Sequence, residues 1–344
     1  MIRRPMRPRV FALLCLLAAL LAGGALSAYW LWSAERLAER IAAWSEQQRA
    51  RGYEVAYRGP AIGGYPFALT ARFEDPRIAS PRGWRWQGPT LTGRAALWNP
   101  FTIEVDFSGR HRVAGPRDGA ADPAEAEAEQ ATAVVHLESD GRVERAGAKA
   151  LGVTLRRAGR VLTAGAVTAR LGPLRPALGA RPQDLALAGA ATEVTLPEDG
   201  AGPLGRSLRR LAFEGMLLGE IPPGERRRML EQWRDAGGSL EIGRLDLEWG
   251  PLALEGEGAI GLDRRLRPEG EIAARISGLP GTLDRLVAVG LLKAERAQLV
   301  KIALLALADG TDGEGRPVVA LPITLQGGRL YLGPAPVLRL SPVL

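Results

Sequence analysis

The stretch "RLDLEWGPLALEGEGAIGLD", residues 244–263, decides how this chain folds. Leu245, Leu247 and Trp249 alternate with Asp246 and Glu248, and beyond Gly250-Pro251 Leu252 and Leu254 alternate with Glu255 and Glu257. A period of two is the mark of a β-strand with one apolar and one polar face. The four acids then pose a question, since they mark either an active site or the wet side of a sheet. A two-residue turn at Gly250-Pro251 pairs Trp249 with Leu252 and sets Asp246 opposite Glu255, a placement that resembles the carboxylate pair of a retaining glycosidase. Like charges directly across a ladder are destabilising, however. A Gly-Pro bulge within one bent strand avoids that pairing and still keeps the apolar residues together, so the bulge is preferred. The acids are expected on the solvated face and are expected to be dispensable.

The same alternation recurs outward from this stretch. Residues 101–109, 150–171, 185–196, 239–250, 270–279, 318–325 and 328–333 read as strands, with turns marked by Gly, Pro and Asp. Helical periodicity interrupts near 222–236, which opens on Pro222-Pro223, and near 281–308, where Thr282 is a candidate N-cap. In the second of these, Leu283, Leu286, Val287, Gly290, Leu291 and Ile302 are read as one apolar stripe. Residues 114–133, rich in Ala, Glu, Pro and Gly, are read as a flexible loop or frayed helix. Gly-Pro also follows alternating strands at 88, 172, 250 and 333, an echo suggestive of stacked meander units.

The first 51 residues place the protein. Val10–Trp32 is a run of 23 residues without charge. As a helix it is about 34 Å long, against a bilayer core of about 30 Å. Arg3, Arg4, Arg7 and Arg9 precede it, and Tyr29, Trp30 and Trp32 close it as a membrane-interface belt. Residues 1–9 are expected in the cytoplasm, 10–32 as a single-pass signal anchor in the inner membrane, 33–51 as an amphipathic stalk helix, and 52–344 as a periplasmic β-rich domain. "ALSA" at 25–28 offers small residues to a signal peptidase, but the apolar run continues past it into the stalk, where Leu37, Ile41 and Trp44 share a face. Cys15 lies mid-span and is read as packing.

Composition narrows the chemistry. With the four N-terminal arginines set aside, 41 Lys+Arg face 38 Asp+Glu, a net of +3. Arginine and acid alternate along the strands without clustering, so nucleic acid is not an expected partner. One cysteine and two histidines, His111 and His136, exclude an internal disulfide and a Cys/His zinc site. No G-x-S-x-G and no Walker loop occur. Gly256 to Gly261 spells G-x-G-x-x-G, but Pro268 and renewed alternation follow where a dinucleotide site requires a helix. No catalytic, metal or cofactor residue is assigned.

"GYEVAYRGPAIGGYPFALTARFEDPRI" (52–78), residues 237–279 and "LPITLQGGRLYLGPAPVLRL" (321–340) resemble the bacterial family called domain of unknown function 2125. That resemblance implies no established activity. Anchor plus β-meander is also similar to AsmA-like envelope proteins, whose grooves imply lipid carriage. The fold expected is mainly β, a β-meander in an extended curved sheet or groove, with an N-terminal transmembrane helix and two or three covering helices. Leu245, Leu247, Trp249, Leu252, Leu254 and Ile260 are the candidate lining of an apolar groove, which the sequence leaves open against a closed core. The expected role is non-enzymatic envelope lipid handling, with phospholipid or an acyl chain as ligand. The alternative is a scaffold subunit that binds an envelope protein partner, and an envelope hydrolase is the third reading.

Overall fold

The computed structural model describes residues 8–116, 123–173, 184–200, 202–222 and 224–343. Arg3, Arg4 and Arg7 lie outside the described residues. The structure is mainly antiparallel β, with one long N-terminal helix and three shorter ones. By the density of its contacts the chain divides into two compact units, Met1–Pro123 with Thr132–Arg142 and Ala124–Ala131 with Val143–Leu344.

The first unit opens on helix α1 (Pro8–Ala50), which runs unbroken through both the apolar span and the amphipathic stalk. It is followed by strands β1 (Glu54–Gly63), β2 (Ala68–Ala79), β3 (Arg85–Gln87), β4 (Leu91–Ala96), β5 (Asn99–Asp106) and β6 (Gly109–Ala114). Strands β1 and β2 form a hairpin. The far edge of β2 is shared between β4, along Ala68–Phe73, and β3, along Arg77–Ala79. Strand β4 then pairs with β5, and β3 with β6.

Helix α1 lies along the β1–β2 hairpin. Trp30 Nε1 donates to Ala68 O at 2.7 Å, Ser45 Oγ meets Tyr57 Oη at 3.3 Å, and Arg49 Nη2 donates to Val55 O at 2.9 Å. Its packing face is Trp30, Leu37, Ile41 and buried Ser45, at helical spacing. Trp44, expected on that face, points outward and is exposed.

Residues 114–133 correct the sequence reading where they are described. They contain β7 (Ala124–Ala128) and the first half of β8 (Gln130–Leu137), not a loop or frayed helix. Alternating Ala and Glu in "AEAEA" is a strand pattern carried by helix-favouring residues, and pairing partners decide between the two. Strand β8 pairs with β5 in the first unit.

The second unit contains β7 and continues with β9 (Val143–Arg157), β10 (Arg160–Pro173), β11 (Leu185–Thr195), β12 (Ser207–Leu218), α2 (Arg226–Asp235), β13 (Ser239–Trp249), β14 (Leu252–Leu262) and β15 (Pro268–Ser277). Helices α3 (Leu279–Ala288) and α4 (Ala294–Ala306) come next, and β16 (Val318–Gln326), β17 (Arg329–Leu332) and β18 (Ala335–Arg339) close the chain. It is a meander, with β7 on β9 and each strand from β9 to β18 hydrogen-bonded to the next. Helix α2 is pinned by buried Trp233, whose Nε1 donates to Leu218 O at 2.9 Å.

Four local readings change here. Gly250-Pro251 is a hairpin turn, not a bulge, with Trp249 opposite Leu252 and Asp246 opposite Glu255. Gly250 takes a left-handed φ of +58°, and a Cβ there would lie 2.5 Å from Leu204 O, so only glycine suits the turn. The helix expected over 281–308 is two helices, because the chain breaks after Val289 with Gly290 in the left-handed region. Its stripe is broken accordingly: Leu283 is buried, whereas Leu291 and Ile302 are exposed. Thr282 is not the N-cap, since α3 begins after Gly278 and Thr282 Oγ1 donates back to Gly278 O at 3.0 Å. The Gly-Pro echo does not hold a constant position either. It makes turns at 250 and 333 but ends strand β10 at 172.

Candidate functional site

Strands β13 and β14 carry the residues of the opening stretch on their two faces, with β12 beside β13 and β15 and β16 beyond β14. The polar face holds an open cleft of about 460 Å³ with arginines and acids interleaved along its walls. Asp246 lies at its base and is buried, only 6% exposed, which corrects its expected place on the solvated face. Arg244 Nε donates to Asp246 Oδ2 at 2.8 Å, and Arg210 Nη2 lies 3.7 Å from the same oxygen. Glu248 is half-buried and pairs with Arg209 at 3.2 Å. Glu255 stands beside Asp246 on one side and Arg275 on the other, while Glu255 and Glu257 are exposed, as expected of a wet face. The like-charge pair that argued for a bulge is thus tolerated, because each acid has an arginine from another strand beside it.

At the rim, Asp312 organises the turn before β16. It accepts from the backbone N–H of Arg316 at 2.8 Å and of Glu314 at 3.0 Å, and from Arg316 Nε at 2.7 Å. The hydroxyl of buried Ser277 and these donors hold the Asp312 carboxyl well below the usual carboxylate range. Asp263 builds the same Asp-x-x-x-Arg turn after β14, accepting from Arg265 N, Arg267 N and Arg267 Nε. Chemically, the cleft offers carboxylates already engaged by guanidinium groups.

The opposite face is apolar. A bulge at Gly243-Arg244 keeps it so: Ile242 pairs with Gly258 and Leu245 with Gly256, so β13 carries one residue more than β14. The inserted residue shifts the parity, and Leu240 and Ile242 join Leu245, Leu247 and Trp249 on one side. Leu245, Leu247, Trp249, Leu252, Leu254 and Ile260 all lie on that side and all are half-buried. Leu247 and Trp249 pack on a cluster of Ala164, Val194 and Leu208, whereas Leu252 and Leu254 pack on Ala274, Ile276, Leu279 and Val319. Trp249 Nε1 donates to Gly205 O at 2.8 Å. Helix α4 turns Ala297 and Leu304 toward the sheet and leaves Leu299, Ile302 and Leu305 exposed.

The interface aromatics of α1 divide. Trp30 packs edge-on against Tyr65, while Tyr29 and Trp32 face outward and stack with centroids 6.0 Å apart. Sequence reading missed a second aromatic group, Tyr65, Phe67, Trp98 and Phe101, all exposed. Their signal was "GYPF" and "LWNPF", aromatic residues beside prolines at or next to turns. Both histidines have structural partners, His136 Nδ1 on Thr102 Oγ1 at 3.1 Å and His111 Nε2 on Phe107 O at 2.7 Å. Among the described residues no group of three or more His, Cys, Asp or Glu is placed to hold a metal. Gly256 to Gly261 lies inside β14, so no helix follows those glycines.

The sequence model of a family of uncharacterized proteins conserved in bacteria, DUF2125, matches residues 30–341. The chain belongs to that family. No curated protein and no solved structure matches it. The DUF2125 match begins at Trp30, so the family pattern covers the stalk part of α1 and both β units, while the apolar span largely precedes it. That helix, over Leu13–Ala50, is long and apolar enough to cross a membrane.

Proposed function

We propose that this DUF2125 protein is held by α1 as a single-pass anchor in the inner membrane, N-terminus in the cytoplasm and both β units in the periplasm. There it works without catalysis in envelope lipid handling, and the apolar face of the second unit receives phospholipid acyl chains. The observation that carries this reading is incomplete cover. The candidate lining residues remain half-buried, and beside them α4 presents Leu299, Ile302 and Leu305 to solvent. Contiguous exposed apolar surface of this kind marks binding sites for lipid or protein. The engaged state of Asp246, Glu248 and Asp312 supports a structural role for the acids. The uninterrupted α1, with an exposed apolar half, supports the anchor.

The test is photo-crosslinking of the full-length chain, in nanodiscs, to a phospholipid whose acyl chain carries a diazirine. Labelled peptides from β13, β14 or α4, in addition to those from α1, are the expected result. Label confined to α1 would refute the lipid-receiving face. The scaffold alternative also draws on the exposed side of α4, and a stoichiometric protein crosslinked there in place of lipid would favour it.

A further inference from the structure

We infer that the first unit carries its own membrane-seating surface: the Gly64–Phe67 turn and the Leu97-Trp98 turn insert their aromatic rings into the membrane interface beside the anchor. The inference rests on α1 spanning the bilayer, and it adds a contact made by the β unit itself. The occupant is the lipid surface, and it is fixed by where the helix holds these turns.

The geometry follows from two rungs between α1 and the hairpin. At one end Ser45 Oγ meets Tyr57 Oη at 3.3 Å, and at the other Ser27 Oγ meets Tyr65 Oη at 2.8 Å. From Ser45 back to Ser27 the helix travels about 27 Å at its rise of about 1.5 Å per residue. From Tyr57 strand β1 runs to Gly63, about 20 Å at about 3.3 Å per residue, and the turn carries the chain on to Tyr65. The chain leaves the membrane along α1, turns at Arg51–Tyr53, and returns along β1 and its turn to the helix at Ser27. The turn after β1 is therefore back at the level of Ser27. Ser27 precedes Trp32, the last residue of the uncharged run, by about 8 Å of helix. With that run in the bilayer, Tyr65 sits just below the headgroups, at the edge of the acyl region that Tyr29 and Trp32 border.

Pairing brings the second turn to the same level. Strand β4 runs antiparallel to β2 with Ala96 opposite Ala68, and Leu97 N donates to Phe67 O at 2.9 Å. Phe67 and Trp98 then stand with ring centroids 6.4 Å apart, 60% and 75% exposed. The turn is built to hold this presentation. Gly64 has φ +93°, and a Cβ on it would lie 2.7 Å from Ala68 O. Tyr65, Phe67 and Trp98 lie on the unit that also holds the outward Tyr29 and Trp32 of α1, and Tyr and Trp are the residues enriched where bilayer meets water. Trp30 is spent on docking the hairpin, and Trp98 takes up a lipid-facing place.

The experiment uses the full-length chain with Cys15→Ser, in nanodiscs of phosphatidylethanolamine and phosphatidylglycerol. Nitroxide labels are attached at single cysteines introduced by Leu17→Cys, Phe67→Cys, Trp98→Cys or Arg82→Cys. Arg82 lies in the turn at the opposite end of β2 and serves as the aqueous control. Circular dichroism checks each fold, and Phe101→Cys replaces any tip variant that fails to fold. Collisions with oxygen should exceed those with a water-soluble nickel chelate at 17, 67 and 98, with the order reversed at 82. A lipid-side label at 17 with water-side labels at 67 and 98 would overturn the inference and leave the anchor standing. A water-side label at 17 would overturn both.

Discussion

Asp246→Asn is the substitution that separates a structural acid from a functional one. The carboxylate is buried, but its partners are not: the side chains of Arg244 and Arg210 are 59% and 46% exposed. Two charges 4 Å apart are worth about 1 kcal/mol in bulk water and about 4 kcal/mol at an effective dielectric constant of 20. With half-exposed guanidinium groups the pairs sit near the lower figure, because water screens them. Asparagine still offers Arg244 Nε an acceptor, yet its amide donors meet a guanidinium where an acceptor stood. The expected cost is about 1–2 kcal/mol, the range in which a hydrogen bond to a charged group is lost in part. For a unit of this size that lowers the thermal midpoint by about 2–4 °C per kcal/mol, read from intrinsic tryptophan fluorescence. Glu257→Gln on the exposed face should stay within about 0.5 kcal/mol. A cycle with Arg244→Gln should show a coupling of at least about 0.5 kcal/mol, because the two groups touch. A fully stable Asp246→Asn that lost acyl-chain crosslinking would refute the reasoning and make the acid functional.

Leu254→Ala should cost about 2 kcal/mol, the low end for a leucine truncation, because the side chain is only half-buried; a loss above about 4 kcal/mol would put it in a sealed core and count against a lipid-accessible face. Asp312 makes stability depend on acid. Its folded pKa is depressed, so its contribution is fully present above the unfolded value of about 3.9 and disappears as pH falls below it; Asp312→Asn should be less stable than the parent at neutral pH, and the two should converge in strong acid, as a pH series of thermal midpoints would show. Convergence near neutral pH would contradict the assignment. A periplasm-dependent reporter fused after Leu344 should be active, and replacing Arg3, Arg4, Arg7 and Arg9 with acids should scramble that orientation; an inactive parental fusion would sink the topology.

What the sequence made legible was whatever depends on neighbours along the chain. Period-two alternation in 239–263 is enough to place Leu247 and Leu254 on one face and Glu248 and Glu255 on the other, and the structure keeps that division. The bulge at Gly243-Arg244 went unread, although Ile242 and Leu245 are three apart and share a face only with an inserted residue there. What stayed hidden depends on register. The sequence disfavours a turn at Gly250-Pro251 because Asp246 and Glu255 repel, but that sum omits Arg210 on β12 and Arg275 on β15, which lie 20 or more residues from the acids they stand beside. "AEAEA" sits in an Ala-, Glu-, Pro- and Gly-rich segment that reads as a loop or frayed helix for want of sustained periodicity, although Glu125 and Glu127 take their places opposite Arg156 and Thr154.

The same distinction explains the membrane-facing residues. Tyr29, Trp30 and Trp32 could be named at once, because they follow the apolar run directly. Tyr65, Phe67 and Trp98 could not, because their height above the membrane is set by the return length of β1 and the pairing of β4 on β2. Once those lengths are known the assignment of roles changes within the helix too. Trp30, which sequence reading placed in the lipid interface, gives its N–H to Ala68 and its ring to Tyr65. A tryptophan used in that way fixes the hairpin to the anchor, so the direction of β1 and β2 relative to the span is set by the chain itself. On the proposed placement of α1 in the bilayer, the β unit is seated by the same residues that begin its sheet, and its exposed aromatic turns reach the interface, where such rings are favoured.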